Sequence, residues 1–421
     1  MVLFDIIPKW HFVAWAIGCC LTLLFRPHKF HVLHPIRFTT GAVMTTISML
    51  KRTALILAAL TVAGNALADI VIGQVTPLSG PLAPTGSHIR AGAQLYFDAV
   101  NASGGVHGQK IRLITKDDAY KASETVRLAR ELINEAQPLA LFGFVGTGNV
   151  EALLKDKILT EAGIPLVMVR TGASSVLKSG NPWLFFTRAS YEAEIKRIIQ
   201  QYSSTGYRNY AIFYQNDPFG LDGLASAEAL IGKFDSKIIA KASYEKNTTE
   251  VSAAVKSIAA AAPQAVIMIA NTAASAEFLK QSREAGNTAE FITISVTDAA
   301  QIVQRIGKKA AAGLVITQVV PNPETRATPL TREVMDNFAR FKPVEVTPNH
   351  TLLEGYLGAK VLVEGLRRAG PNPTRKKLRD ALEQIRDYDA GDLFVSYSAN
   401  NHGGVNFVDI NIINRDGKLL K

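Results

Sequence analysis

Two loops rich in small and hydroxyl side chains, Gly143–Asn149 (GFVGTGN) and Val169–Ser175 (VRTGASS), carry the residue types best suited to holding an anion. Each follows a short apolar run and leads toward a helical pattern. A strand-to-helix turn of this kind presents the first N–H groups of the helix and its positive dipole end, and Thr or Ser hydroxyls add donors. A carboxylate fits such a place. The same residues also make plain tight turns, but two such loops from consecutive units can face one crevice, which favours binding. The adjacent carboxylates Asp117 and Asp118 are a weaker lead. Neighbours at a strand end point apart, and Asp is a common turn former, so this pair reads as a turn rather than an acid–base couple.

Other chemistries lack their residues. Both cysteines, Cys19 and Cys20, lie before Asp69. From Asp69 onward a disulfide framework, a thiolate metal site and a cysteine nucleophile are therefore excluded. The histidines after Asp69 are His88, His107, His350 and His402, none with a metal-ligand neighbour at suitable spacing. No G-x-S-x-G, no G-x-x-x-x-G-K-[ST] and no strand-linked G-x-G-x-x-G occurs, so no cofactor is expected.

The segment Met49–Ile70, MLKRTALILAALTVAGNALADI, has the three parts of a secretory signal: Lys51 and Arg52, an apolar stretch, and Ala66-Leu67-Ala68 before the cut. Cleavage after Ala68 and a periplasmic location are expected. The apolar run Phe12–Phe25 is only 14 residues long, short of the roughly 20 that span a bilayer. Residues 1–48 read as an extension upstream of the true start, the alternatives being an uncleaved anchor or a lipoprotein signal at Ala16–Cys19. The formal charge is +10 over the whole chain and +5 from Asp69 onward, where 40 basic residues face 35 acidic ones. These charges are scattered, apart from Arg375–Arg379, which reads as the solvated face of a helix. No nucleic-acid footprint is formed.

The elements that must position the two loops are short apolar runs alternating with helical patterns: DIVIGQV, IRLITKD, ALFGFVG, PLVMVRT, NYAIFYQ, AVIMIAN, FITISV and AGLVITQVV. Strands apolar on both faces, separated by helix-length segments, predict parallel sheets covered by helices, the α/β class. Ile89, Ala93, Tyr96 and Val100 mark the buried stripe of the first helix. Ser123 is expected as an N-cap, and Gly370-Pro371 as a helix stop. The length predicts two domains.

Longer stretches resemble a known family. TPLSGPLAPTGSHIRAGAQLYFDAVNASGGVHGQKIRLITKDD (Thr76–Asp118), then PFGLDGLASAEAL, FLKQSREAG and the closing NFVDINIINRDGKLL are similar, in order, to landmarks of the Leu/Ile/Val-binding type of periplasmic substrate-binding proteins of ABC importers. The resemblance runs from about Asp69 to Lys421. It implies a type I periplasmic-binding fold: two doubly wound parallel-sheet lobes joined by three crossover strands, with ligand trapped between them. Residues 69–187 and 318–402 would form lobe 1, and 188–317 and 403–421 lobe 2.

By the same resemblance, Thr147, Gly148 and Asn149 with Thr171, Gly172, Ala173 and Ser174 would hold the ligand carboxylate, and Thr85 would face the ligand side chain. Where amino-acid binders present a tyrosine and a glutamate to the ammonium group, this chain has Asn271 and Ser295. Asp298, Tyr191 with Glu192, or Asp217 are the candidate substitutes; otherwise the ligand has no amine, and Phe219 and Tyr191 pack on its body. The implied function is an exported, non-enzymatic receptor that passes a small carboxylate-bearing molecule, an amino acid or a relative, to an ABC permease as a monomer. The alternative is a periplasmic sensor of an amide or of an aromatic or aliphatic acid. Trp183, the only tryptophan after Asp69, is expected to report closure because it precedes the first crossover.

Overall fold

The computed structural model describes residues 68–344 and 346–421. The signal, the Phe12–Phe25 run and the extension up to residue 48 lie outside the described residues. From Ile70 the chain alternates strand and helix, as the apolar runs require: β1 (Ile70–Thr76), α1 (Ala83–Ala102), β2 (Ile111–Asp117), α2 (Ala122–Ala136), β3 (Ala140–Phe142), α3 (Thr147–Lys155), α4 (Ile158–Ala162), β4 (Leu166–Val167), α5 (Ser174–Leu177) and β5 (Leu184–Phe185). These strands form one all-parallel sheet in the order β2-β1-β3-β4-β5.

A second series follows: α6 (Tyr191–Ser204), β6 (Asn209–Gln215), α7 (Pro218–Ile231), β7 (Lys237–Tyr244), α8 (Ser252–Ala261), β8 (Ala265–Ile269), α9 (Thr272–Glu284), β9 (Glu290–Thr293), α10 (Ala299–Ala311) and β10 (Val315–Gln318). The chain then returns to the first sheet with α11 (Pro329–Phe341), α12 (His350–Ala369) and α13 (Arg375–Glu383). It next makes the ribbon β11 (Tyr388–Asp389) and β12 (Phe394–Val395), and ends on β13 (Asp409–Ile413) and β14 (Leu419–Leu420). The second sheet runs β14-β13-β10-β9-β8-β6-β7, parallel from β7 to β10 and antiparallel at β13 and β14.

The parallel part of each sheet repeats one pattern, in which the first strand lies between the second and the third. In this doubly wound order the connections leave the first and third strands toward opposite faces, which opens a crevice at the strands' carboxyl ends. Each sheet with its helices is called a lobe below. The chain passes between them after β5, after β10 and before β13. The first and third passages are tied together, since Phe186 N–H donates to His402 O at 2.9 Å and Gly404 N–H to Phe186 O at 3.2 Å.

The stripe Ile89, Ala93, Tyr96 and Val100 is buried, as its spacing predicts. It packs on α12 at a crossing that needs glycine: a Cβ on Gly92 would strike the carbonyl oxygen of Leu352, and one on Gly355 that of Ile89. One apolar core lies under α1 and α12, and another between β6–β10 and the helices α8 and α9. A third is continuous from Leu141 and Phe144 in the first lobe through Tyr191 to Phe219 and Ile269 in the second. The lobes are therefore in apolar contact along one side.

Several local expectations change. Ser123 is not an N-cap: α2 begins two residues earlier than that cap implies, at Ala122 after Lys121. Asp118 makes the turn instead, accepting from Tyr120 N–H at 2.9 Å, and the following Ala119 and Tyr120 take positive φ. Gly370 ends α12 with φ 83, the stop that its composition implies. In the Arg375–Arg379 cluster only Lys376 and Lys377 are exposed. Arg375 donates to the carbonyls of Pro138 and Ala162, and the Arg379 guanidinium lies 4.8 Å over the Trp183 ring. Trp183 therefore packs against its own lobe and does not face the cleft.

Candidate functional site

The carboxyl ends of both sheets face one cleft. From the first lobe, the turn after β1 supplies Leu82, the first turn of α1 Thr85, the turn after β2 Tyr120, the loop after β3 Val145 and Gly146, the start of α3 Thr147, and the loop after β4 Arg170. The second lobe adds Tyr191 at the start of α6, Phe219 from α7, Asn271 after β8 and Val296 after β9. Only about 30 Å³ of free volume lies among them, room for about one water, so the cleft is nearly shut and a ligand enters it by parting the lobes.

Glycine sets the first loop. Gly146 has φ 102 just before α3, and a Cβ there would press into the Tyr120 ring and the Asn149 side chain. Gly146 and Thr147 line the cleft at the start of α3, where the first amides have no partners within the helix. The hydroxyls of Thr147 and Thr171 meet at 2.7 Å, joining the two loops that the sequence singles out. Asn149 stands behind them, donating to Thr125 Oγ1 at 2.8 Å and Asp118 Oδ2 at 3.3 Å. Burial holds the Asp118 carboxyl above its usual range against the donors from Thr125, Tyr120 and Asn149. For Asp117 burial pushes the same way, but donors from Ser79, Leu78 and Ala119 outweigh it and hold the carboxyl low. Both acids are turn locks.

The expected residues separate into three groups. Thr85, Thr147, Tyr191, Phe219 and Asn271 line the cleft. Gly148, Asn149, Thr171, Gly172 and Ala173 shape it from behind or at the rim: Gly148 lies against Pro218, Gly172 O accepts from Tyr191 N–H at 2.8 Å, and Ala173 N–H donates to Thr171 Oγ1 at 3.2 Å. Ser174, Ser295 and Asp298 are not among the lining residues. The Ser174 amide is taken by Asp222 of the second lobe. Ser295 lies buried between Arg188 and Glu194, and Asp298 caps α10 while accepting from Asn349 at 2.7 Å.

Sequence reasoning missed the residue of strongest charge. Arg170 lies three residues past β4, one position before the Thr171–Ser174 stretch, and is 3% exposed. Its Nη1 donates to Glu354 Oε1 at 2.6 Å and its Nη2 to the Ser295 carbonyl at 3.2 Å. Behind it, Arg188 pairs with Glu194 at 3.2 Å and faces Glu354 Oε2 at 3.2 Å. The two arginines and two glutamates form a buried neutral cluster where the lobes join. An arginine directly after the apolar run PLVMV was the available signal. Leu82, Val145 and Val296 gave none, because apolar residues in a cleft look like core.

The mouth is closed by lobe-to-lobe contacts. Lys246 Nζ lies 3.8 Å over the Tyr120 ring and 3.4 Å from Asn149 Oδ1. Burial lowers the Lys246 pKa, partly offset by Asp217 and Asp118. Burial also raises the pKa values of Tyr120 and Tyr191, which stay protonated and available as donors.

Two doubly wound sheets that close on a donor-lined cleft define a binding receptor whose lobes grip a small molecule. Comparison with known proteins gives the class its family. The periplasmic binding protein family model matches residues 69–418, and the chain belongs to that family. It is thus a periplasmic receptor of the α/β, type I fold and not an enzyme. It is 27% identical over 349 residues to the Leu/Ile/Val-binding protein homolog 7 of Brucella suis biovar 1, covering 80% of this chain and 86% of the relative. A substrate-binding periplasmic protein from Ralstonia solanacearum, known by crystal structure, matches with 36% identity and a TM-score of 0.80, covering 84% of this chain and 99% of that one. A branched-chain amino acid ABC transporter protein from Thermus thermophilus with bound valine shares the fold at a TM-score of 0.76 and 16% identity, over 84% of this chain and 94% of its own.

Proposed function

We propose that the chain is exported, cut after Ala68, and works as a monomeric receptor that captures a small carboxylate-bearing molecule and delivers it to an ABC permease. The lobes are 69–187 with 318–402, and 188–317 with 403–421. The ligand carboxylate sits at the start of α3, against the Thr147 and Gly148 amides and the Thr147–Thr171 hydroxyl pair. Thr85, Tyr191 and Phe219 flank its body. The observation that carries this reading is the donor set on the first lobe, with Phe219 and Val296 of the second lobe lining the same cleft. Relatives named as Leu/Ile/Val-binding proteins support transport as the purpose.

Thermal melts of the purified protein with amino acids, their amides and organic acids test it. Ligand at about 1,000 times its dissociation constant stabilises a receptor by roughly 4 kcal/mol, several degrees in Tm. A panel that leaves Tm unmoved throughout overturns capture of small carboxylates. Delivery is tested by uptake of the labelled ligand in cells with and without the chain.

A further inference from the structure

We propose that the cleft selects carboxylate-bearing molecules that have an apolar body and no ammonium group, and that Arg170 is the residue that selects them. This rests on the reading of the cleft as a capture site.

No carboxylate side chain is found among the described residues lining the cleft, and the one charged side chain there is Arg170, whose guanidinium is paired with Glu354 behind it. An ammonium entering a largely desolvated cleft needs acceptors and a compensating negative charge. The side-chain acceptors considered for that task already take hydrogen bonds from the protein itself, and none of their carboxylates lines the cleft. Asn271 Oδ1 accepts the Ala274 N–H at 3.1 Å, and its Nδ2 donates to Gln215 and Tyr244. The Ser295 hydroxyl donates to Glu194 at 2.9 Å. Asp217 Oδ1 caps α7, accepting from Phe219 N–H at 3.0 Å, while its Oδ2 accepts from Gln215 at 2.8 Å. Asp298 spends one oxygen on Gln301 and the other on Asn349. Glu192 accepts from Ser174 Oγ at 3.3 Å.

Arg170 is equipped for the opposite charge. A guanidinium has five N–H donors, and two of them are used here, by Glu354 and the Ser295 carbonyl, among the described residues. The Glu354 contact fixes its orientation, so remaining donors meet an anion without first being ordered. Leu82, Val145, Phe219 and Val296 leave the rest of the wall apolar.

The test uses matched pairs on the unaltered protein, read by calorimetric titration: leucine against 4-methylpentanoate, phenylalanine against 3-phenylpropanoate, and the amide of each acid. The expected result is at least one acid binding about 100-fold or more tighter than its amino acid and its amide, because a site with no partners for a buried polar group rejects it strongly. An amino acid binding as tightly as its acid overturns this inference and leaves the receptor reading intact. Absence of binding by every compound overturns both. The double variant Arg170→Gln with Glu354→Gln, which removes opposite charges together, is expected to lose the preference for acid over amide. Full retention of that preference overturns the role of Arg170.

Discussion

Asp222 in the second lobe accepts the backbone N–H of Ser174 in the first at 3.0 Å, and that of Ser175 at 3.1 Å. A protein carboxylate thus occupies the end of the loop that composition alone assigns to a ligand. These bonds exist only while the lobes are together, so they favour the closed form directly. Hydrogen bonds to a charged partner contribute about 1.5 to 3 kcal/mol when sheltered, less here because Ser175 is exposed. Asp222→Asn is expected to raise the dissociation constant of the tightest acid about 5- to 30-fold and to expand the free protein in small-angle scattering. An unchanged affinity together with an unchanged radius of gyration would remove Asp222 from closure.

The opposite rim depends on Lys246, whose Nζ lies over the lobe-1 ring of Tyr120. A partly desolvated cation–π contact contributes about 1 kcal/mol. Lys246→Met should therefore weaken binding several-fold, and Lys246→Arg should restore most of it, since a guanidinium also stacks on a ring. Equal affinities for the Met and Arg variants would mean that Lys246 acts by filling space.

Much of this architecture is legible in the chain. Eight apolar runs mark eight of the strands, because a strand covered on both faces must be apolar throughout. What escaped is informative. β7 reads KIIAKASY at the edge of its sheet, where exposed lysines are tolerated, and β5 is two residues long. The loops GFVGTGN and VRTGASS were legible as neighbours at one crevice because each follows a strand of the same sheet and leads into a helix. Arg170 and Glu354 are 184 positions apart, and no local pattern announces their pairing. The polar residues after β8 and β9 were ambiguous for another reason: a short polar residue after a strand caps the next helix as readily as it meets a ligand, and Asn271 and Asp298 both cap.

Glu354 holds the buried cluster neutral. Its side chain is 2% exposed and faces Arg170 and Arg188, themselves 2% and 1% exposed. Removing one member of a buried pair leaves an uncompensated charge and typically costs about 3 to 5 kcal/mol. Glu354→Ala is accordingly expected to lower the unfolding free energy from urea titration by that order, with Glu354→Gln milder because one hydrogen bond survives. An unfolding free energy within about 0.5 kcal/mol of the parent for Glu354→Ala would show that water or a rearranged Glu194 compensates.

His350 supplies a pH signature that can be isolated from other groups. At the first position of α12, its Nε2 is buried without a partner. Burial, reinforced by the positive charge of Arg170, depresses its pKa to about 3. The unfolded chain takes up this proton near pH 6.5 and the folded one does not, so the stability it supports is full above that pH. It is then lost progressively as pH falls toward 3, by at most about 1.4 kcal/mol per pH unit. His402 is depressed as well, by burial first, and shapes the same limb. For that reason the comparison is between the parent and His350→Asn at about pH 7, 6 and 5, where the carboxylate titration that both proteins share cancels in the difference. The parent should lose more unfolding free energy over that interval than the variant, and the gap should widen with each step down. Parallel curves would place the folded pKa of His350 near its ordinary value and mean that water reaches Nε2.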